Sequence, residues 1–313
     1  MESLEQILKE IKGEMIRSNQ LNYQILMSNI IAHTEIDDKD KQILLLLLQD
    51  RDRNYVRINH NAECWNNIKK YLELVRPIEM PLEKLVRVGG RGDGGYVMFK
   101  EGLFEGVDSK ALSLGVSDYS PWDLEMAEMG FKVIQYDASI EKGPYNHPNI
   151  TFHKKFIGTN NNSNTITLSQ AIEDNYLDKS KANILQCDIE NCEWEMLEGI
   201  DISLLSDYFT QIIFEFHGCN PEEQEGVELR TRLLKKINEY FVPIHTHLNN
   251  HGKIFYSNGF FWSTTIEVSY LRKDLLEKST MLRYRKKGGN LEGLDYPVHP
   301  SNPEIPIRFK KNE

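Results

Sequence analysis

Three short stretches carry the side chains best suited to chemistry. In the first, Asp188-Ile-Glu190-Asn-Cys-Glu193-Trp194 follows an apolar run over 182–187. If the backbone is still extended there, Asp188 and Glu190 project to one side, because side chains alternate along a strand. Two acids so close suit binding a cationic amine, orienting a hydroxyl or holding a metal ion. Glu190 and Glu193 equally suit the start of a helix, where carboxylates favour the dipole. The expectation is a functional Asp188 and a structural Glu193. The second stretch, Glu215-Phe-His217-Gly218, ends the most continuous apolar run of the chain, 211–216. A histidine at such a strand end can serve as a general base near neutrality, or as a satisfied structural residue. In the third, Asp137 closes an apolar run over 132–136. A carboxylate at the end of a second strand can accept from both hydroxyls of a ribose; the alternative is a cap or surface acid.

These groups need a scaffold that brings strand ends together. From about 85 to 272, short apolar runs alternate with helical patterns, which implies βαβ units and a mostly parallel sheet. The expected strands cover 111–115, 132–136, 150–156, 182–187, 211–216, 242–248 and 265–272. The last two, separated by the turn-rich aromatic segment 249–262, suggest an antiparallel pair at the sheet edge. Ser120, Pro121 and Asp123 form a helix-start signature. In such open sheets ligands bind outside the carboxyl ends of the strands. The first strand leads into Leu114-Gly115-Val116-Ser117-Asp118, where a small residue lets the backbone approach a ligand. The G-x-G-x-x-G of a dinucleotide site is absent, which disfavours NAD or FAD.

Residues 1–80 read as a helical amino-terminal region with no strand pattern. Leu4, Leu8, Ile11 and Met15 form one apolar stripe that fits either a homodimeric coiled coil or packing on the chain's own core. A second helix spans 61–76, with Trp65, Ile68, Tyr71 and Leu72 on one face. Residues 276–313, with Gly288-Gly289 and four prolines, are expected to run extended over the surface. Among 313 residues the net charge is −10, which argues against a broad phosphate-binding surface and hence against nucleic acid. The basic run Arg283, Arg285, Lys286, Lys287 reads as a solvated segment. Cys64, Cys187, Cys192 and Cys219 show no CxxC pairing and suggest reduced thiols in a cytoplasmic protein. No zinc-type His/Cys pairing is evident, and the longest apolar run, 43–48, is far too short to span a bilayer.

Taken in order, several blocks resemble the FkbM-type methyltransferases, class I enzymes dependent on S-adenosylmethionine (SAM). They are Arg87-Val-Gly-Gly-Arg-Gly-Asp-Gly-Gly-Tyr-Val97, Leu112-Ser-Leu-Gly-Val-Ser117, Gln135-Tyr-Asp137, Leu185-Gln-Cys-Asp-Ile-Glu190 with Glu193, and Ile213-Phe-Glu-Phe-His217. The resemblance covers roughly 83–275 within a catalytic domain set at 81–275. It implies a Rossmann-like α/β core, a seven-stranded sheet with helices on both faces and a final antiparallel strand. It further implies that Gly115, Val116 and Ser117 approach the methionine part of SAM, that Asp137 holds the ribose, and that Asp93, Gly94, Gly95 and Tyr96 fold over the cofactor. Asp188 would stand beside it. Gln186 and Asn191 depart from the Lys and Gly common in the family, and Ser117 stands where many methyltransferases have glycine. The chemistry implied is O-methylation, with His217 taking the acceptor's proton and Asp188 or Glu190 orienting it. A small molecule or a glycan hydroxyl, in a surface glycan, capsule or precursor, is the expected acceptor. Tyr256, Phe260, Phe261 and Trp262 either stack on a sugar or fill the core of the edge hairpin. The competing readings are an inactive SAM-binding module and a nucleotide-sugar or NAD-dependent oxidoreductase.

Overall fold

The computed structural model describes residues 4–49, 55–101, 108–276 and 282–310. Two helices open the chain, α1 (Leu4–His33) and α2 (Asp38–Leu47), the second capped by Asp37, whose carboxylate accepts from the Lys39 and Asp40 N–H groups. Strand β1 (Tyr55–Ile58) and helix α3 (Ala62–Leu74) follow. A hairpin, β2 (Leu85–Val88) and β3 (Tyr96–Phe99), leads into β4 (Lys110–Leu114), α4 (Pro121–Glu128) and β5 (Lys132–Tyr136). Next come β6 (Ile150–His153), the short β7 (Phe156–Ile157) and β8 (Thr165–Ile166), α5 (Leu168–Asp174) and β9 (Asn183–Cys187). Helices α6 (Glu193–Glu198) and α7 (Ile202–Tyr208) precede β10 (Phe209–Phe216). The remainder is α8 (Gln224–Tyr240), β11 (Phe241–Leu248), β12 (Lys253–Ser257), β13 (Phe260–Ser263) and β14 (Ile266–Arg272).

Seven strands form one mostly parallel sheet in the order β11-β14-β10-β9-β4-β5-β6. The pairs from β6 to β10 are parallel, whereas β14 runs antiparallel to both β10 and β11. Strand residues alternate between two cores, as the two-residue period requires. Leu112, Ile134, Leu185, Ile212 and Phe214 join the larger core with residues of α3, α5, α6, α7 and α8. Ala111, Val133, Ile184 and Ile213 join the second, with Trp122 and Met126 of α4 and Val88, Tyr96 and Met98 of the hairpin. This mixed α/β fold matches the expected strands closely; the third breaks after His153, and Phe156–Ile157 pairs instead with β8.

Two expectations need correction, and one open alternative is resolved. The amino-terminal region is not wholly helical, because Tyr55–Ile58 pairs in parallel with β12 and completes a three-stranded sheet with β13. Four residues whose partner lies some two hundred positions away leave no periodic signal of their own. Tyr256, Phe260, Phe261 and Trp262 are buried in that unit, with Tyr71 stacked on Trp262, so they are core. The tail does not merely lie on the surface: Ile305 and Ile307 sit in the main core. Polar anchors hold it there, with Asn250 donating to the carbonyls of His299 and Asn302, and Arg308 gripping buried Asp40. The basic residues Arg283, Lys286 and Lys287 are exposed, and the four cysteines are free thiols.

The stripe of α1 does not pack on the core. Leu4, Leu8, Ile11 and Met15 are 75%, 57%, 51% and 62% exposed, while Met27 and Ile31 at the other end are buried. No helix among the described residues is long and apolar enough to cross a membrane.

Candidate functional site

The parallel strands β4, β5, β9 and β10 end at one edge of the sheet, where open α/β sheets hold their ligands. A cleft of about 340 Å³ opens there, lined by Asp93, Gly94, Tyr96, Gly115, Val116, Ser117, Asp137, Asp188 and Glu190. That volume falls in the range of small-molecule sites, ~300–1,000 Å³. Gly95 is not in the lining: a Cβ there would meet the Gly90 carbonyl oxygen at 2.5 Å, so its smallness serves the packing of the hairpin loop. Arg87 braces that loop from below, donating to the carbonyls of Gly90 and, at 2.8 Å, Gly92. Tyr119, Ser120, Ser139 and Gln186 also line the cleft and escaped the sequence reading. Gln186 was within reach of it, because the residue two before Asp188 shares its face of the strand.

The turn after β4 shows why its residues are small. Gly115 has φ +80°, and a Cβ there would lie 1.7 Å from the Asp188 carbonyl oxygen. The ends of β4 and β9 therefore approach too closely for any side chain. Ser117 and Asn191 stand at φ 57° and 78°, in the left-handed region that glycine enters most easily. Both are positions where the resemblance led one to expect glycine, and the backbone conformation supplies the reason.

Asp137 is 7% exposed and heavily engaged. One carboxylate oxygen accepts from the Val116 and Ser117 N–H groups, and the other from the N–H and hydroxyl of Ser139. Burial pushes its pKa up, but these four hydrogen bonds hold it below the usual carboxylate range. The acid thus ties the turns after β4 and β5 together across the floor of the cleft.

Beside the cleft, Asp188, Glu190 and His217 converge. His217 Nε2 lies 3.9 Å from Asp188 Oδ1 and 3.7 Å from Glu190 Oε2. His217 Nδ1 is 3.1 Å from Glu193 Oε1, which also accepts from the Ile189 N–H at 3.0 Å. Glu193 is fully buried in the first turn of α6. Its structural role is thus to orient the histidine as well as to start the helix. Glu215, two residues before His217 on the same face of β10, places Oε1 3.7 Å from Nε2. Burial alone would lower the pKa of His217, but its bond to Glu193, then the charges of Glu193, Asp188 and Glu190, outweigh this and raise it. Burial raises Asp188, with Glu190, Asp93 and Glu193 adding to the rise against the opposing effect of His217. Glu215 is raised well above its ordinary value, first by burial and then by Asp188 and Glu267. The surrounding carboxylates thus favour the imidazolium form of His217 over the neutral base.

A mostly parallel α/β sheet with a glycine turn after its first parallel strand and acids at the ends of the next ones is consistent with a methyltransferase fold. Residues 99–255 match the family model described as the methyltransferase FkbM domain. The match spans half of the chain, which belongs to this family. It contains Gly115, Asp137, Asp188, Glu190 and His217, while Asp93, Gly94 and Tyr96 lie just before it. No curated protein matches the sequence.

Proposed function

We propose that the protein is a SAM-dependent O-methyltransferase with a Rossmann-like class I core spanning 81–275. The observation that carries this reading is the meeting of a cleft with the acidic trio at the carboxyl ends of β4, β5, β9 and β10. Bound SAM would supply an electrophilic methyl group on a sulfonium. The residues present fit it: Gly94, Gly115, Val116 and Ser117 offer close backbone approach, and Asp93 and Asp188 offer negative charge for a cationic head. Asp137 would hold the ribose by exchanging its two bonds from Ser139, while those from Val116 and Ser117 keep the turn in place. A carboxylate has about four acceptor positions, so the exchange leaves none unsatisfied.

The acceptor hydroxyl would sit against Asp188, Glu190 and His217. Removal of the acceptor's proton is assigned to His217 together with the carboxylates of Asp188 and Glu190 that stand around it and make its imidazole more basic. Positioning then supplies much of the acceleration, as expected for an in-line displacement. A sugar hydroxyl of a surface glycan, capsule or precursor is the acceptor class that the family resemblance and the net negative charge favour. The exposed stripe of α1 supports a homodimer through residues 1–80, with 276–313 as a strap on the catalytic domain, and a cytoplasmic location accords with the free thiols.

Calorimetry with SAM and S-adenosylhomocysteine on the wild type and Asp137→Ala tests the cofactor. Micromolar binding that falls at least tenfold in the variant is expected. Absence of binding to a well-folded wild type would overturn the reading. A methyl-transfer screen over neutral glycans then tests the acceptor.

A further inference from the structure

We propose that Asp188, Glu190 and His217 form a binding site for one divalent transition-metal ion, Mn²⁺ being the best match. Their free atoms, Asp188 Oδ1, Glu190 Oε2 and His217 Nε2, all lie within 4.8 Å of one another. The separations from Nε2, 3.9 and 3.7 Å, are too long for hydrogen bonds. They are shorter than twice a metal–ligand bond of ~2.0–2.2 Å, so one ion can join the imidazole to either carboxylate, and a small shift of the exposed Glu190 side chain brings both onto it.

Two further observations point to a missing cation. Asp188 Oδ1 is buried and has no hydrogen-bond partner, and the same is true of Glu215 Oε2. Glu215 is 5% exposed, and its other oxygen lies 3.7 Å from His217 Nε2 while accepting from Asn249. Buried carboxylate oxygens left unpaired are costly, and an ion among them would satisfy them. The second observation is the support behind the histidine. Metal-binding imidazoles usually donate their other N–H to a carboxylate, which fixes the tautomer and turns the free lone pair to the ion. Glu193 does this for His217, at 3.1 Å from Nδ1, and its Oε1 is itself fixed by the Ile189 N–H.

The donor set decides the kind of ion. One imidazole with two carboxylates is softer than the all-oxygen shell of Ca²⁺ or Mg²⁺ and lacks the thiolates that favour structural zinc. At the mouth of the cleft, beside Asp93 and Gly94, the ion would hold a hydroxyl and lower its pKa. That use rests on the methyltransferase reading; the binding of the ion does not.

The test is Mn²⁺ titration of the metal-free full-length protein by electron paramagnetic resonance, with pulsed measurements to detect an imidazole nitrogen on the bound ion. One saturable site is expected, its nitrogen signal lost in His217→Ala. Glu190→Gln, at a side chain 84% exposed and therefore safe for folding, should weaken binding at least tenfold. Glu193→Gln should weaken it ~10–100-fold, the usual effect of removing such a supporting carboxylate. No saturable Mn²⁺ binding by folded wild type, or binding unchanged in both His217→Ala and Glu190→Gln, overturns the site. S-adenosylhomocysteine binding on the same samples separates the two readings. Retained nucleoside binding without Mn²⁺ refutes the metal site alone.

Discussion

Arg308→Met should unfasten the carboxyl-terminal strap and destabilise the whole protein. Arg308 reaches Asp40 with both terminal nitrogens, at 2.6 and 2.7 Å, and also donates to the Gly259 carbonyl at 2.9 Å. Asp40 is 1% exposed, and its other side-chain partner is the Tyr256 hydroxyl at 3.0 Å. Removing the guanidinium leaves a buried carboxylate with a single hydroxyl donor. Breaking a buried pair from one side costs ~3–5 kcal/mol. Arg308 is itself slightly exposed, 14% at the side chain, so about 3 kcal/mol is the appropriate figure. For a chain of this size about 2 °C is lost per kcal/mol, giving a fall in Tm of about 6 °C. Differential scanning calorimetry measures this, and limited proteolysis should show earlier cleavage in the tail. The double variant Asp40→Asn/Arg308→Met should melt higher than Arg308→Met, since the uncompensated charge is gone. A single variant within about 2 °C of wild type, with the tail equally protected, would refute the view that this pair locks α2, the β12–β13 hairpin and the tail together.

Three other outcomes are expected. Gly115→Ala should cost at least ~3 kcal/mol, adding left-handed strain to a clash with the Asp188 carbonyl; urea melts that match wild type would contradict it. His247 is buried between Glu267 and Glu304, at 3.1 and 2.5 Å. Burial opposes its charge, but Glu267 chiefly, then Glu304 and Asp295, raise its pKa well above 6.5. A raised histidine stabilises fully below its unfolded pKa and loses that contribution as pH rises through the folded one. The stability gap between wild type and His247→Gln should therefore be wider at pH 6 than in strongly alkaline buffer. A gap that widened with alkalinity would reverse the assignment. Leu8→Lys/Ile11→Lys should leave the fold of the single chain intact, because both side chains are exposed on it, while sedimentation velocity should show a dimer of the wild type reduced to monomer. A monomeric wild type at tens of micromolar would dismiss the stripe as a dimer seam.

The sheet was legible because most of its strands are buried and read as predominantly apolar runs. Phe209–Phe216, flanked by β9 and β14, is the clearest case. The hairpin β2–β3 was visible as a glycine-rich block but not as strands, since Gly89 to Gly95 carry no periodic signal. Strand β1 and the buried tail residues Ile305 and Ile307 were illegible for a shared reason. Each is short, and each depends on partners far away in the chain. In the site, Gly115, Asp137, Asp188, Glu190 and His217 could be singled out by their place at strand ends. The inward turn of Glu193 toward His217 could not, because its helical position fits capping equally well. Glu215 and Gln186 share the site's face by the two-residue period, but each lies inside a strand rather than at its end, where sequence alone does not distinguish it.

The charge of the site also constrains what it can accept. Asp93, Asp188, Glu190, Glu193, Glu215 and Glu267 lie around His217 and His247, so carboxylates outnumber the groups that can balance them. Burial raises the pKa of Asp93, Asp188 and Glu215 in turn, so concentrated negative charge is disfavoured there. A cationic guest offsets that charge. The proposed sulfonium donor with its ammonium group and the proposed divalent ion are both of that sign. With no ion bound, a phosphate or carboxylate next to the acceptor's reacting hydroxyl would meet repulsion from Glu190, the most exposed member of the trio. A neutral hydroxyl, as on an uncharged sugar, meets none. The same carboxylates thus favour a neutral over an anionic group beside the reacting hydroxyl of the proposed acceptor.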